Sequence, residues 1–213
     1  MELNILYEDK DLIVCIKPAG IATQSSRIDT PDMVSLLKNH LRKNTTNKEP
    51  YLAVIHRLDQ PVTGILVFAK NKKAAAGLNR QLTAFGFGKH YLACLSKIPS
   101  LTEADLIDHM VKDSRTNTSH ICPKDTPGSK EARLHYKIIK KTNTSAIAGI
   151  TLDTGRHHQI RVQMSHIGCP ILGDVKYGGP AYKQLQLFAW RLTFKHPATG
   201  NALEFQLDLS KFL

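Results

Sequence analysis

IHRLDQPVTGILVFAK, residues 55–70, sets two apolar runs on either side of His56, Arg57 and Asp59. Taken alone it reads as a hairpin. "AVIHRL" and "GILVFAK" are the strands and "DQPVTG" is the turn, because Asp, Pro and Gly are the residues turns select. That leaves Arg57 unexplained, since an alternating strand puts Arg57 and Asp59 on the same side. A carboxylate between two apolar strands is costly to desolvate unless a cation or several donors hold it, so burial of Asp59 demands a partner. "TGRHHQIR", residues 154–161, offers one: Arg156 and Arg161 stand next to a predicted helix start, where free backbone N–H groups also favour anions.

Outward from this stretch the chain alternates short apolar runs with turn chemistry. "DLIVCIKP" (residues 11–18) is β-branched and ends in Pro-Ala-Gly, as a buried strand entering a turn does. "TPDMVSLLKNHL" has a helical period: Thr30 caps, Pro31 takes the first helical position, and Met33, Leu36, Leu37 and Leu41 share one face. "NKKAAAGLNRQLTAFG" is a second helix, capped by Asn71 and stopped by Gly86. "KHYLACL" is a strand, and residues 102–129, polar and lysine-rich, form a loop or a hairpin excursion. "ARLHYKII" alternates Ala132, Leu134, Tyr136 and Ile138 and pairs with "SAIAGITL" across residues 142–144. "HHQIRVQMSHIGCP" is a helix closed by Gly168 and Pro170, and "LTFKHPATGNALEFQL" is a final hairpin. Strands dominate and neighbour one another in pairs. The expected class is therefore α+β, with a mixed, mainly antiparallel sheet, flanking helices and a single domain over residues 1–213.

The 213 residues carry a formal charge of +11, spread along the whole chain. Such a field attracts polyanions and supplies phosphate contacts; the plainer alternative is a basic soluble protein. The "TGRHHQIR" block shares that ambiguity, as a basic helix end facing RNA or solvent. No apolar run approaches a membrane span, and the acidic start "MELNILYEDKDLIV" is unlike a secretory signal, so a cytoplasmic protein with no membrane contact is expected. Cys15, Cys94, Cys122 and Cys169 are irregularly spaced with no CxxC pair, which points to reduced, mostly buried thiols rather than a zinc site. His157, His158 and His166 lack the i, i+4 pairing of helical metal sites, so no metal is expected.

Four blocks in order, "VCIKPAGI", "HRLDQPVTGILVFAK", "KHYLACL" and "LDTGRHHQIRVQMSHIGCPILGDVKYGG", resemble the RluA-type RNA pseudouridine synthases, and "LTFKHPATG" fits that family's closing hairpin. The resemblance implies the pseudouridine synthase catalytic fold, a sheet crossed by a catalytic cleft. It also implies residue roles. Asp59 matches the essential aspartate that acts on the target nucleotide, Tyr91 the tyrosine against the uracil ring, and Arg161 the arginine that pairs with the aspartate. Arg57 matches the arginine that holds or replaces the flipped nucleotide; His56, Arg156 and Gln159 join it as expected substrate-binding residues. Where the family often has Thr-Ser-Gly after HRLD, this chain has Val62, Thr63 and Gly64, and Phe188 stands where a histidine is frequent. The catalytic block starts near Met1, so no S4-type RNA-binding domain is expected.

The implied reaction breaks an N-glycosidic bond, rotates the uracil and joins C5 to C1′. It is an isomerisation, so no redox step, cofactor or external energy enters. An ionised carboxylate attacks the ribose, abstracts its 2′ proton or adds to the ring, and a guanidinium beside it opposes the pKa rise of burial. The target base must be flipped from its stack at a cost of a few kcal/mol, which a basic surface offsets through backbone contacts. The expected partner is structured RNA, transfer or ribosomal, and the expected state a monomer. The rival readings are a non-catalytic RNA-binding protein that keeps the fold and a metal-dependent nuclease; the scarcity of paired carboxylates near histidines disfavours the second.

Overall fold

The computed structural model describes residues 3–26, 30–43, 49–84 and 86–208. In chain order these form β1 (Asn4–Glu8), β2 (Leu12–Lys17), α1 (Met33–Lys43), β3 (Ala53–Val54), β4 (Thr63–Ala69), α2 (Lys72–Thr83), β5 (Gly88–Leu95), β6 (Glu103–Asp113) and β7 (Thr118–Ile121). There follow β8 (Lys130–Lys141), β9 (Ala146–Leu152), α3 (Gln159–His166), a 3-10 turn (Val175–Tyr177), β10 (Leu187–Lys195) and β11 (Ala202–Gln206). The α+β class read from the sequence is the class observed. The chain divides into two compact units, residues 1–88 with 189–213, and residues 89–188.

In the first unit β2 pairs antiparallel with β1 on one side and β4 on the other, with Leu12 opposite Ala69 and Lys17 opposite Gly64. Every residue of β4 is buried, the pattern of a strand covered on both faces. Leu12, Val14, Ile65 and Val67 pack with Ala74, Ala75 and Leu78 of α2 and with Leu192 and Phe194 of β10. Such side chains each contribute about 1.5–3 kcal/mol on full burial. Gly64 explains the Thr-Gly of the opening stretch: a Cβ there would overlap Ala189 Cβ and stand 2.8 Å from its carbonyl oxygen. α2 starts as read, with Asn71 Oδ1 accepting the Ala74 N–H at 2.8 Å; Phe85, within the same quoted stretch, lies outside the described residues.

Two expectations for this unit are corrected. α1 begins at Met33, and its cap is Asp32 rather than Thr30: Asp32 Oδ1 accepts the Ser35 N–H at 2.7 Å while Ser35 Oγ accepts the Asp32 N–H at 3.0 Å. This reciprocal box satisfies two donors at once, which a cap two residues earlier cannot do. The strand read over "AVIHRL" is only Ala53–Val54. Beyond it side chains replace the ladder. His56 Nε2 accepts the Val67 N–H at 3.4 Å, and Thr23 Oγ1 both accepts from Leu58 N at 3.2 Å and donates to Leu58 O at 3.1 Å. The alternation argument for Arg57 and Asp59 therefore lapses.

In the second unit the strand order is β5-β9-β8-β6-β7, each pair antiparallel. Residues 102–129 take the hairpin form, β6 with β7. The β8–β9 hairpin forms as read. α3 is buried on every side from Gln159 to Met164, as a helix enclosed by its unit must be. Its Val162 packs on Met110 and Ala132. All four cysteines are free; Cys15 and Cys169 are buried and Cys94 and Cys122 half-buried. No helix among the described residues is long and apolar enough to cross a membrane.

Candidate active site

Asp59 sits in the first unit, half-buried, at the head of a turn in which its carbonyl accepts the Val62 N–H at 3.0 Å. What fixes that turn is Lys17, the last residue of β2. Its side chain is 0% exposed, and its ammonium donates to Pro18 O at 2.9 Å, Ile21 O at 2.7 Å and Gln60 O at 2.9 Å. One buried cation thus ties the residue after Asp59 to the loop that follows β2. Gly20 completes the tie: its N–H donates to Gln60 O at 2.9 Å, and its carbonyl accepts from Gln60 Nε2 at 2.9 Å. Burial pushes the Lys17 pKa down to about 8, against the opposing pull of the Asp59 carboxylate. In the sequence the signal for Lys17 is a lysine closing the otherwise apolar strand of "VCIKPAGI".

Arg57, two residues before Asp59, is exposed and makes no hydrogen bond or ion pair among the described residues. His56 is turned the other way: besides accepting from Val67, its ring meets Phe87 edge-on at 5.5 Å.

The second unit carries Tyr91, Arg156, Gln159 and Arg161. Tyr91 is buried on β5 opposite Ile150 of β9. Arg161, 6% exposed on α3, is gripped from its own unit by Asp174, 2% exposed, through Nε to Oδ2 and Nη2 to Oδ1, both at 2.7 Å. This fork is the strong, planar form of an ion pair. The Tyr177 ring lies 5.0 Å from the same guanidinium. The Tyr177 hydroxyl accepts the Ser119 N–H at 2.9 Å and shares a 2.6 Å hydrogen bond with His158 Nδ1. Burial, then the charges of Arg161, His157 and Lys176, push the His158 pKa down to about 3. His158 caps α3 at φ +55°, a conformation rare outside glycine, and stacks on His157 at 3.7 Å.

The GDVKYGG segment that supplies Asp174 and Tyr177 is folded tightly. A Cβ on Gly179 would overlap the Ile171 carbonyl oxygen, and one on Gly173 that of Gln184. Neither Asp174 nor Tyr177 was singled out in the sequence. Gln159 serves the loop before α3: its Oε1 accepts from Thr154 Oγ1 at 2.7 Å and Arg156 N at 3.0 Å, and its Nε2 donates to Arg133 O at 3.0 Å. Arg156 Nε donates to Glu131 O at 2.7 Å.

One group of potential metal ligands exists among the described residues, Asp9, Asp11 and His196. Its imidazole is already committed. His196 Nδ1 accepts from Ala198 N and Thr199 N, both at 3.2 Å, leaving Nε2–H to donate to Asp9 Oδ2 at 2.8 Å. The group reads as a hydrogen-bonded fastening of two turns.

The HRLD turn, the KHYLACL strand and the HHQIR helix all lie within the stretch that a family comparison recognises. The model of the RNA pseudouridylate synthase family matches residues 11–166, and the chain belongs to that family. It is 32% identical over 222 residues to the ribosomal large subunit pseudouridine synthase D of Nitrosomonas europaea, covering 97% of this chain and 62% of that protein. It is 31% identical to the Vibrio cholerae protein of the same name, covering 96% and 67%. The chain thus spans about two thirds of the length of these relatives. The solved structure of human RNA pseudouridylate synthase domain containing 4 superposes with a TM-score of 0.79 at 24% identity, over 96% of this chain and 88% of that one, and shows the same fold.

Proposed function

We propose that this protein isomerises uridine to pseudouridine in structured RNA. The observation that carries the reading is the HRLD turn itself, with Asp59 half-buried beside a fully buried cation within a family-matched segment. Asp59 is the reacting carboxylate, Tyr91 the ring that meets the uracil, and Arg161 a further catalytic group, its guanidinium oriented by Asp174. A carboxylate can act as nucleophile or base, whether toward the ribose or the pyrimidine. Arg57 and Arg156 hold the RNA backbone around the everted nucleotide. The names of the relatives point to large-subunit ribosomal RNA as the substrate class.

The test is direct. Wild-type protein is incubated with an unmodified in vitro transcript of large-subunit ribosomal RNA, and pseudouridine is mapped by carbodiimide adducts and primer extension. Discrete adduct stops that need the protein support the reading. A transcript left unmodified across transfer and ribosomal RNAs overturns it in favour of a non-catalytic RNA-binding protein.

A further inference from the structure

Lys89, the second residue of β5, is 8% exposed yet makes no hydrogen bond or ion pair among the described residues. Lysine is among the residues least often buried; here the stem is enclosed while the ammonium end keeps contact with solvent. Burial holds its pKa below the ordinary lysine value; the Asp153 carboxylate opposes the shift and the Arg156 guanidinium adds to it. Asp153 is itself exposed to solvent, so it is a weak counter-charge.

The surroundings favour an incoming anion. Lys89 Nζ lies beneath the loop before α3, where a Cβ on Gly155 would sit 3.7 Å from it. Any other residue at 155 would put a side chain against the ammonium, whereas glycine, exposed here, leaves it approachable. Arg156 follows at once, so two cations flank one bare backbone position. Lys89 and Tyr91 lie two apart on β5, on one face of the strand and about 7 Å apart.

We infer that Lys89 and Arg156 form a site for a phosphodiester of the RNA strand, adjoining the face of β5 that carries Tyr91. This rests on the proposed action on RNA. The site makes Lys89 a substrate-binding residue and gives Gly155 its purpose.

The experiment measures binding of a short fluorescein-labelled oligouridine by anisotropy across a salt series, for wild type, Lys89→Met and Asp153→Asn. Lys89→Met keeps the stem and removes the charge. It should weaken binding by roughly tenfold or more and flatten the log–log salt slope by about 0.7, the value of one lost single-strand phosphate contact. Its melting temperature should be no lower than that of wild type. Asp153→Asn should bind at least as tightly as wild type. An unchanged slope for Lys89→Met, a lowered melting temperature, or the same loss in Asp153→Asn would assign Lys89 to the loop's structure and overturn the inference. If wild type forms pseudouridine while Lys89→Met keeps its slope, only this inference fails; a wild type that neither binds nor modifies RNA takes the proposed function down with it.

Discussion

Replacing Asp174 by Asn probes the part of the site that the structure adds to the sequence. The change keeps the shape of the side chain and one acceptor oxygen but removes the charged fork that grips the 6%-exposed Arg161. Forked pairs bring their charge centres to about 4 Å, worth about 4 kcal/mol at an effective dielectric near 20. One guanidinium N–H also loses its acceptor and meets the new amide instead, at about 1–3 kcal/mol. Relaxation recovers part of both, so the expected loss is about 3–5 kcal/mol, the usual result of breaking a buried pair from one side. In a chain of this size that corresponds to a fall in Tm of about 6–20 °C. Thermal melts and urea titrations read it, and the double substitution Arg161→Met with Asp174→Leu serves as the control. Removing both charges should cost much less than Asp174→Asn alone, because the penalty lies in burying a guanidinium that has lost its fork. If Asp174→Asn melted within about 2 °C of the parent, the fork would not be holding Arg161 and the reasoning would fail.

Two further outcomes follow from the first unit. Lys17 titrates near 8 in the folded protein against 10.5 for a free lysine; between those values the unfolded chain binds a proton that the folded one has released, so this group's contribution to stability rises with pH. The stability of the parent minus that of Lys17→Met should therefore grow by about 3 kcal/mol from about pH 7 to about pH 11, measured by urea unfolding at constant ionic strength; a difference flat in pH would contradict the assignment. Gly64→Ala forces a methyl into Ala189 and should lower stability by about 1–3 kcal/mol or more, read as a shifted urea midpoint, and an unshifted midpoint would refute the close approach of β4 and β10.

Local pattern was enough for elements whose partners are near in sequence or whose period is unambiguous. β2, β4, α2, the β8–β9 hairpin and α3 all fall where apolar spacing and caps put them. β1 escaped notice because its five residues alternate between exposed and half-buried, so it carries no apolar run. Residues 55–58 depart from the strand their pattern suggests for a different reason: Thr23, from 35 residues earlier, takes over the backbone groups of Leu58. In the site, HRLD and HHQIR were legible as motifs. Their supports were not. Lys17 acts on Gln60 from 43 residues away, and Asp174 and Tyr177 reach back across a tight glycine turn to Arg161 and His158. Partnerships of that kind arise from tertiary packing and leave only a stray charged residue in the sequence.

The measurement that bears most directly on the whole account is pseudouridine formation by Asp59→Asn, run beside wild type on the same ribosomal transcript with oligouridine binding as the control. The account predicts a folded protein that still binds RNA and forms no carbodiimide-reactive uridine isomer above the protein-free level. Conversion at the wild-type rate would show that the carboxylate of Asp59 is not the group that does the chemistry.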